Sequence, residues 1–388
     1  MSTSLNREPT DAAVSMTALA GSAGEEERIY VATQWQLIWW RFRRHKVAMI
    51  GGVVTVLMYL VAIIAEFLAP FPVEAYSAKY LYAPPQRLYL FDREDGLRLN
   101  PHVFGYTSTV DAIAFRRTFE VDESQKIPIR FFVQGEPYKL LGLIPGTVRL
   151  FGPVDKTQPM FLLGADRIGH DVLSRIIYGT RISMSIGLVG VIISLTLGIL
   201  LGGISGYYGG RADAIIQRII EFIRSIPTIP LWMGLGAALP VDWPPLRIYF
   251  GITVILSLVG WTGLARVVRG RFLSLREEDF VMAAQLYGAG EMRIILRHML
   301  PSFMSHIIAS ITLAIPRMIL AETSLSFLGL GLRPPIVSWG VLLKESQNVR
   351  AVYSAPWLLT PALAVVFAVL AFNFLGDGLR DAADPYSR

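Results

Sequence analysis

The sequence predicts an all-α polytopic membrane protein with six transmembrane helices and a small β-rich external insert. Two observations carry this. Hydrophobic residues make up 53% of the 388 positions and mean hydropathy is +0.47, too apolar for an ordinary soluble chain of this length. Arginine and lysine gather at the two junctions expected in the cytoplasm, 41–46 and 266–276. The formal charge of +6 is therefore a matter of membrane topology, and no nucleic acid partner is expected. With no cysteine, the chain has neither a disulfide framework nor a thiolate metal site.

Residues 1–28 are polar and acidic, with Glu25, Glu26 and Glu27 in a row, and read as a disordered cytoplasmic tail. No apolar signal core occurs in them. Residues 29–46 bring Trp35, Trp39 and Trp40 up to Arg41, Arg43, Arg44 and Lys46. Rings and cations together suit a helix lying on membrane lipid. The first span, 47–70, is apolar apart from Glu66 and stops at Pro70 and Pro72.

Residues 71–180 form a long external region. Short β-like runs, Arg87–Phe91, Ile127–Val133, Tyr138–Leu143 and Thr147–Phe151, predict a β-rich insert at about 75–160. Gln134-Gly135-Glu136-Pro137 reads as a turn between two of them. Asp166, His170 and Asp171 are the one group that could hold a metal. A single histidine with no further ligand nearby favours a hydrogen-bonded cap instead, and no metal is expected.

Residues 181–388 form a five-helix core. Its second span, Ile182–Tyr207, is dotted with Gly187, Gly190, Gly198, Gly202, Gly203 and Gly206, which allow close helix contact. A third runs over about 215–239, bent by Pro227 and Pro230, with Arg218, Glu221 and Arg224 at its cytoplasmic end. Ile248–Val268 is the fourth, Phe303–Leu328 the fifth and Pro356–Leu375 the sixth. Arg317 and Glu322 lie inside the fifth. Ionisable groups there usually face a protein interior or a water-filled path, so Arg317, Glu322, Ser324 and Phe327 are candidate pathway or gate residues. A structural ion pair between helices is the competing reading.

Between the fourth and fifth spans lies a cytoplasmic loop, 269–302. Its centre, DFVMAAQLYGAGEMRIILRHMLP at 279–301, is polar and basic. A helix through Ala283, Ala284 and Leu286 should turn sharply at Gly288-Ala289-Gly290. A second helix, Met292–Leu300, should end at Pro301. Such a helix–turn–helix suits a groove on another protein.

This loop resembles the coupling loop of ABC-importer permeases, in which E-A-A, three residues, G, nine residues and I-x-L-P recur. Here the pattern reads Met282-Ala283-Ala284, Gly288 and His298-Met299-Leu300-Pro301, with Met282 for Glu and His298 for Ile. Leu163–Arg175 is similar to the segment G-T-D-x-x-G-R-D-V-x-S-R of the same family, with Ala165 and His170 departing. Ala321–Gly331, Pro334-Pro335, Ser338-Trp339-Gly340 and Asn373–Pro385 resemble its C-terminal runs. Together they look like the dipeptide/oligopeptide/nickel branch, in its C-type subunit. The resemblance covers the first span and about 160–388, and leaves out the insert and the N-terminal tail.

The resemblance implies a permease subunit in a bacterial inner membrane, with both termini cytoplasmic. It implies a second homologous permease subunit, two ATPase subunits that bind ATP and magnesium, and an external substrate-binding protein. No cofactor is expected on this chain, and it is not expected to be an enzyme: no Gly-Lys pair exists for a phosphate-binding loop. An ion-coupled secondary transporter is the alternative, although no internal repeat supports it. Scattered histidines argue against a membrane-embedded enzyme, and a passive channel would have no use for a coupling loop.

Overall fold

The computed structural model describes residues 33–91, 99–111 and 116–383. The acidic tail at 1–28 lies outside them. Helix α1 (Gln34–Arg44) leads into the apolar α2 (Lys46–Ile63), and a short α3 (Ala65–Leu68) follows. His45 separates the first two and caps the second, its Nδ1 accepting from the Ala48 backbone N–H at 3.1 Å.

Four antiparallel strands come next in simple order: β1 (Tyr89–Phe91), β2 (Leu99–Asp111), β3 (Arg116–Leu140) and β4 (Ile144–Pro153). The segment Gln134–Pro137 is not the turn its composition suggests. It is a bulge inside β3, where the register with β4 shifts between Gln134 and Tyr138. The chain reverses instead at Leu141–Leu143, an apolar turn with Leu141 and Gly142 both at positive φ. Arg149 of β4 is fully buried and donates to the backbone carbonyls of Glu66 and Ala69, which fastens the sheet to the end of α3.

The helical body begins with α4 (Val172–Tyr208), capped by Asp171 through the Ser174 N–H. After it come α5 (Gly210–Ser225), α6 (Thr228–Ala237), α7 (Pro245–Leu275), α8 (Asp279–Leu286), α9 (Met304–Phe327), α10 (Trp339–Lys344), α11 (Val349–Ser354) and α12 (Thr360–Ala383). Among the described residues, five helices are long and apolar enough to cross a membrane. The expected third span is not one of them. The chain leaves the helix at Ile226–Pro227, and 215–239 is divided between the amphipathic α5 and the ten-residue α6.

Helices α4 and α7 run parallel. Ser185 meets Tyr249, Gly190 meets Ser257, Gly202 meets Ala265 and Gly206 meets Arg269, both numbers rising together. The intervening chain must therefore return along their length. Helices α5 and α6 are together about 39 Å long at 1.5 Å per residue, enough for that return. By the same reading α9 is antiparallel to α4, and α12 to α2. The main core lies where α4, α7, α9 and α12 meet, around Met184, Leu256, Ile319, Trp339 and Phe372.

Candidate functional site

The loop after α7 is held from inside and bare outside. Val281 of α8 is buried against Val268, Phe272, Ile294, Met299 and Phe303. Phe272 and Phe303 meet edge to face at 5.8 Å, which ties the two ends of the loop together. Helix α8 then stops in a Schellman cap. Gly288, at φ +74°, donates its N–H to the Gln285 carbonyl, and the Ala289 N–H reaches the Ala284 carbonyl at 3.0 Å. Gly290 is extended, so the left-handed turn rests on Gly288 alone.

Past the cap, the second arm is not one α-helix. Glu291–Arg293 is α-helical, Ile294–Met299 is π-helical, and Leu300–Ser302 is α-helical again. Pro301 does not end it; the break comes at Phe303. A proline ring in a regular α-helix collides with the carbonyl four residues back. The wider π turn, with the Leu300 N–H bonded to the Ile295 carbonyl, opens room for it. The Glu291 carboxylate accepts from the Tyr208 hydroxyl at 2.7 Å, joining this arm to the end of α4.

The tip points away from the body. Leu286 is 90% exposed and Tyr287 92%, with Met282, Phe280 and Met292 also open. Ala283 is exposed, while Ala284, Ala289, His298 and Leu300 are half-buried beneath the tip. Exposed apolar side chains on a rigid projecting helix mark a surface for a partner.

The candidate gate residues do not form one group. Arg317 and Glu322 are five residues apart on α9, which puts them about 140° apart on a helix, and they do not pair. Arg317 and Ser324 are exposed and Phe327 is half-buried. Glu322 is fully buried, and its Oε1 accepts from the hydroxyls of Ser326 (2.8 Å) and Ser338 (2.7 Å). Ser183 of α4 faces its other oxygen and accepts the Trp339 N–H at 3.1 Å. The glutamate therefore fastens the segment after α9 to the core through serine hydroxyls, where the competing reading expected an ion pair between helices.

Asp166, His170 and Asp171 also serve structure. Asp166 Oδ1 accepts from the N–H groups of Ile168, Gly169 and His170, and Oδ2 from His170 Nδ1 and the Arg175 guanidinium. No group of three metal-ligating side chains occurs among the described residues. Burial alone would raise the Asp166 carboxyl, but His170 and Arg175 outweigh it and hold the carboxyl down at about 2. Asp171 is wholly enclosed, and burial pushes it up to about 6 against its bonds from Ser174.

Comparisons with known proteins bear on this arrangement. The family described as "Binding-protein-dependent transport system inner membrane component" matches residues 198–388. The "N-terminal TM domain of oligopeptide transport permease C" matches 33–85. The dipeptide transport system permease protein DppC of Bacillus subtilis is 40% identical over 231 residues, 58% of this chain and 68% of the relative. The oligopeptide transport system permease protein OppC of Haemophilus influenzae is 40% identical over 226 residues, 58% of this chain and 70% of the relative. The chain belongs to the dipeptide/oligopeptide branch of the ABC-importer permeases. An inward-facing structure of the MetNI methionine ABC transporter matches 54% of this permease and 97% of the compared chain, with TM-score 0.43 and 18% identity.

Further ion pairs hold the permease together. Asp213 takes a two-pronged contact from Arg269, at 2.5 and 2.6 Å, which closes the turn after α4 onto α7. The Arg269 hydrogen bonds keep its carboxyl below the usual carboxylate range. Arg181 pairs with Glu66 and also donates to the Ala62 carbonyl at 2.7 Å. A lone Glu in the first span and an Arg just before the second are the sequence signals; only the fold brings them together.

Proposed function

We propose that this permease subunit forms half of a translocation pathway for peptides or related small solutes, driven by ATP hydrolysis in partner ATPases. The carrying observation is the projecting tip of α8. It is apolar, nearly fully exposed at Leu286 and Tyr287, and braced by Val281, Ile294 and the Gly288 cap. In this reading the tip seats in a groove on an ATPase subunit. Closure of two such subunits on ATP and magnesium moves the tip, and α7 and α9 move with it. The differential affinity of ATP for the closed ATPase pair shifts the balance between the two states of the pathway.

Six crossings follow if α5 and α6 together make the third, as the parallel run of α4 and α7 supports. Both termini and α8 are then cytoplasmic, in a bacterial inner membrane, with the sheet on the outer side. A second homologous permease subunit completes the pathway, and the exposed α9 face bearing Arg317 and Ser324 lines it. A substrate-binding protein docks outside. An open cleft of about 1220 Å³ between the sheet and the α11 region, walled by Arg117, Phe119, Val349, Tyr353 and Trp357, suits that role.

Affinity purification of the tagged chain from its own membrane tests the reading. Recovery of a second permease and two ATPases, with uptake abolished by ATP depletion, is the expected result. Uptake that continues without ATP and collapses with the ion gradient would replace it with an ion-coupled secondary transporter.

A further inference from the structure

The β3–β4 hairpin ends in Leu140-Leu141-Gly142-Leu143-Ile144-Pro145, a reversal without one polar side chain. Hairpin turns are usually built from Asn, Asp and Gly, because the tip meets water. Here Leu143 is 81% exposed and Ile144 63%, and Leu141 is open beside them. Further back along β3, Phe131 and Phe132 are also exposed, because positive φ at Phe132 breaks the alternation that would turn one of them inward. This is the most apolar surface of the sheet, and neither the transport reading nor the coupling loop uses it.

Its depth is fixed by the helices. Glu66 of α3, whose backbone carbonyl accepts from Arg149 of the hairpin, pairs with Arg181. Arg181 sits nine residues into α4, about 13.5 Å along the helix from its start. The far end of the same hairpin, Ile129 opposite Pro153, packs with Phe71 and Met160 beyond the end of α3. The hairpin therefore lies alongside α3, level with Glu66 and Arg181, at the boundary where the span Ile182–Tyr207 begins. The surface is also continuous with one that faces lipid. Leu60 and Ile63 are exposed on α2, Phe67 follows them at helical spacing, and the Phe132 ring lies 6.3 Å from that of Phe67.

We propose that the β3–β4 hairpin is a membrane anchor, with Leu141, Leu143 and Ile144 inserted among the lipid chains of the leaflet at that end of the bundle. Lys139, exposed and paired with Pro145 beside the tip, is placed to reach up to the headgroups. The proposal rests on α2 and α4 crossing the membrane and is independent of what the permease transports.

The natural absence of cysteine makes the test direct. Leu143→Cys and, separately, Ile144→Cys are labelled with an environment-sensitive fluorophore. The full chain is reconstituted into vesicles of phosphatidylethanolamine and phosphatidylglycerol. Glu123→Cys, on an exposed part of β3, is the comparison. The tip labels should emit to the blue and be quenched about threefold more by lipid-borne nitroxide than by aqueous iodide, with the order reversed at position 123. Quenching of both tip labels by iodide as at 123 would overturn the proposal. A photo-crosslinking residue at 143 in native membranes should give lipid adducts. A protein adduct instead would assign the tip to a subunit interface and equally overturn the proposal.

Discussion

Ser338 donates its hydroxyl to the Glu322 carboxylate at 2.7 Å, across sixteen residues of chain and a complete change of direction. The same hydroxyl accepts the Val341 N–H and so caps α10. One buried glutamate thus sets where the segment after α9 re-enters the core. Glu322→Gln keeps an acceptor for Ser326 and Ser338 and should be mild. Glu322→Leu leaves buried hydroxyls without partners, at about 1–3 kcal/mol for each group stranded. Thermal unfolding in detergent should order the proteins wild type, Gln and Leu, with a clear gap before Leu.

The α4–α7 contact makes a sharper comparison, because two adjacent glycines differ. A Cβ on Gly202 would lie 2.5 Å from the Ala265 carbonyl oxygen, whereas one on Gly203 meets only Phe272 at 3.6 Å. Backbone cannot yield as a side chain can. Gly202→Ala should cost about 1–3 kcal/mol by forcing the helices apart, and Gly203→Ala should be near neutral. Equal stability of the two variants would refute the close approach.

The segment before α4 should respond to pH in two opposite ways. Asp166 sits at about 2 when folded against an ordinary 3.8, so its stabilisation is complete above about pH 4 and is lost as pH falls towards 2. Asp171 sits at about 6, so the folded chain holds that proton more tightly than the unfolded one. Its contribution is complete below about pH 4 and is lost as pH rises towards 6. Hydrogen exchange across residues 164–175 should be slowest near pH 4 after correction for intrinsic rates. Asp171→Asn, which still caps the helix, should remove the loss between pH 4 and 6, and Asp166→Asn the loss below 4.

The sequence was most readable where a single physical rule acts alone. Length and apolarity located the five helices long and apolar enough to cross a membrane among the described residues, and Gly288 marked its turn because no other residue takes positive φ as cheaply. It misled where two rules compete. Pro227 reads as a bend, yet it ends α5 outright. Pro301 reads as a stop, yet a π turn accommodates it. Gln134–Pro137 has turn composition but lies within β3, and the real turn is written in leucines. Glu322 reads as a gate residue or one half of an ion pair between helices, and only the fold shows the hydroxyls that hold it. The partners of Glu322, Ser183 and Ser338, are 139 and 16 residues away, beyond the reach of any local pattern.

The proposed coupling through α8 can be tested apart from folding, because the exposed side chains of its tip pack on nothing else in the described chain. Leu286→Asp replaces a side chain that is 90% exposed, so thermal stability should stay within about 0.5 kcal/mol of wild type. If the tip seats in an apolar groove, the same charge must be desolvated there, and transport and stimulated ATPase activity should fall at least tenfold. Gly288→Pro acts on the frame instead. It fixes φ near −65° where +74° is needed and removes the N–H that bonds to the Gln285 carbonyl. Helix α8 should fray and coupling should fail, while membrane insertion and the helical core persist. Gly288→Ala keeps the N–H and bears only the left-handed penalty of about 1–2 kcal/mol, so it should retain partial coupling. Wild-type transport by both Leu286→Asp and Gly288→Pro would show that power enters the permease by some other surface.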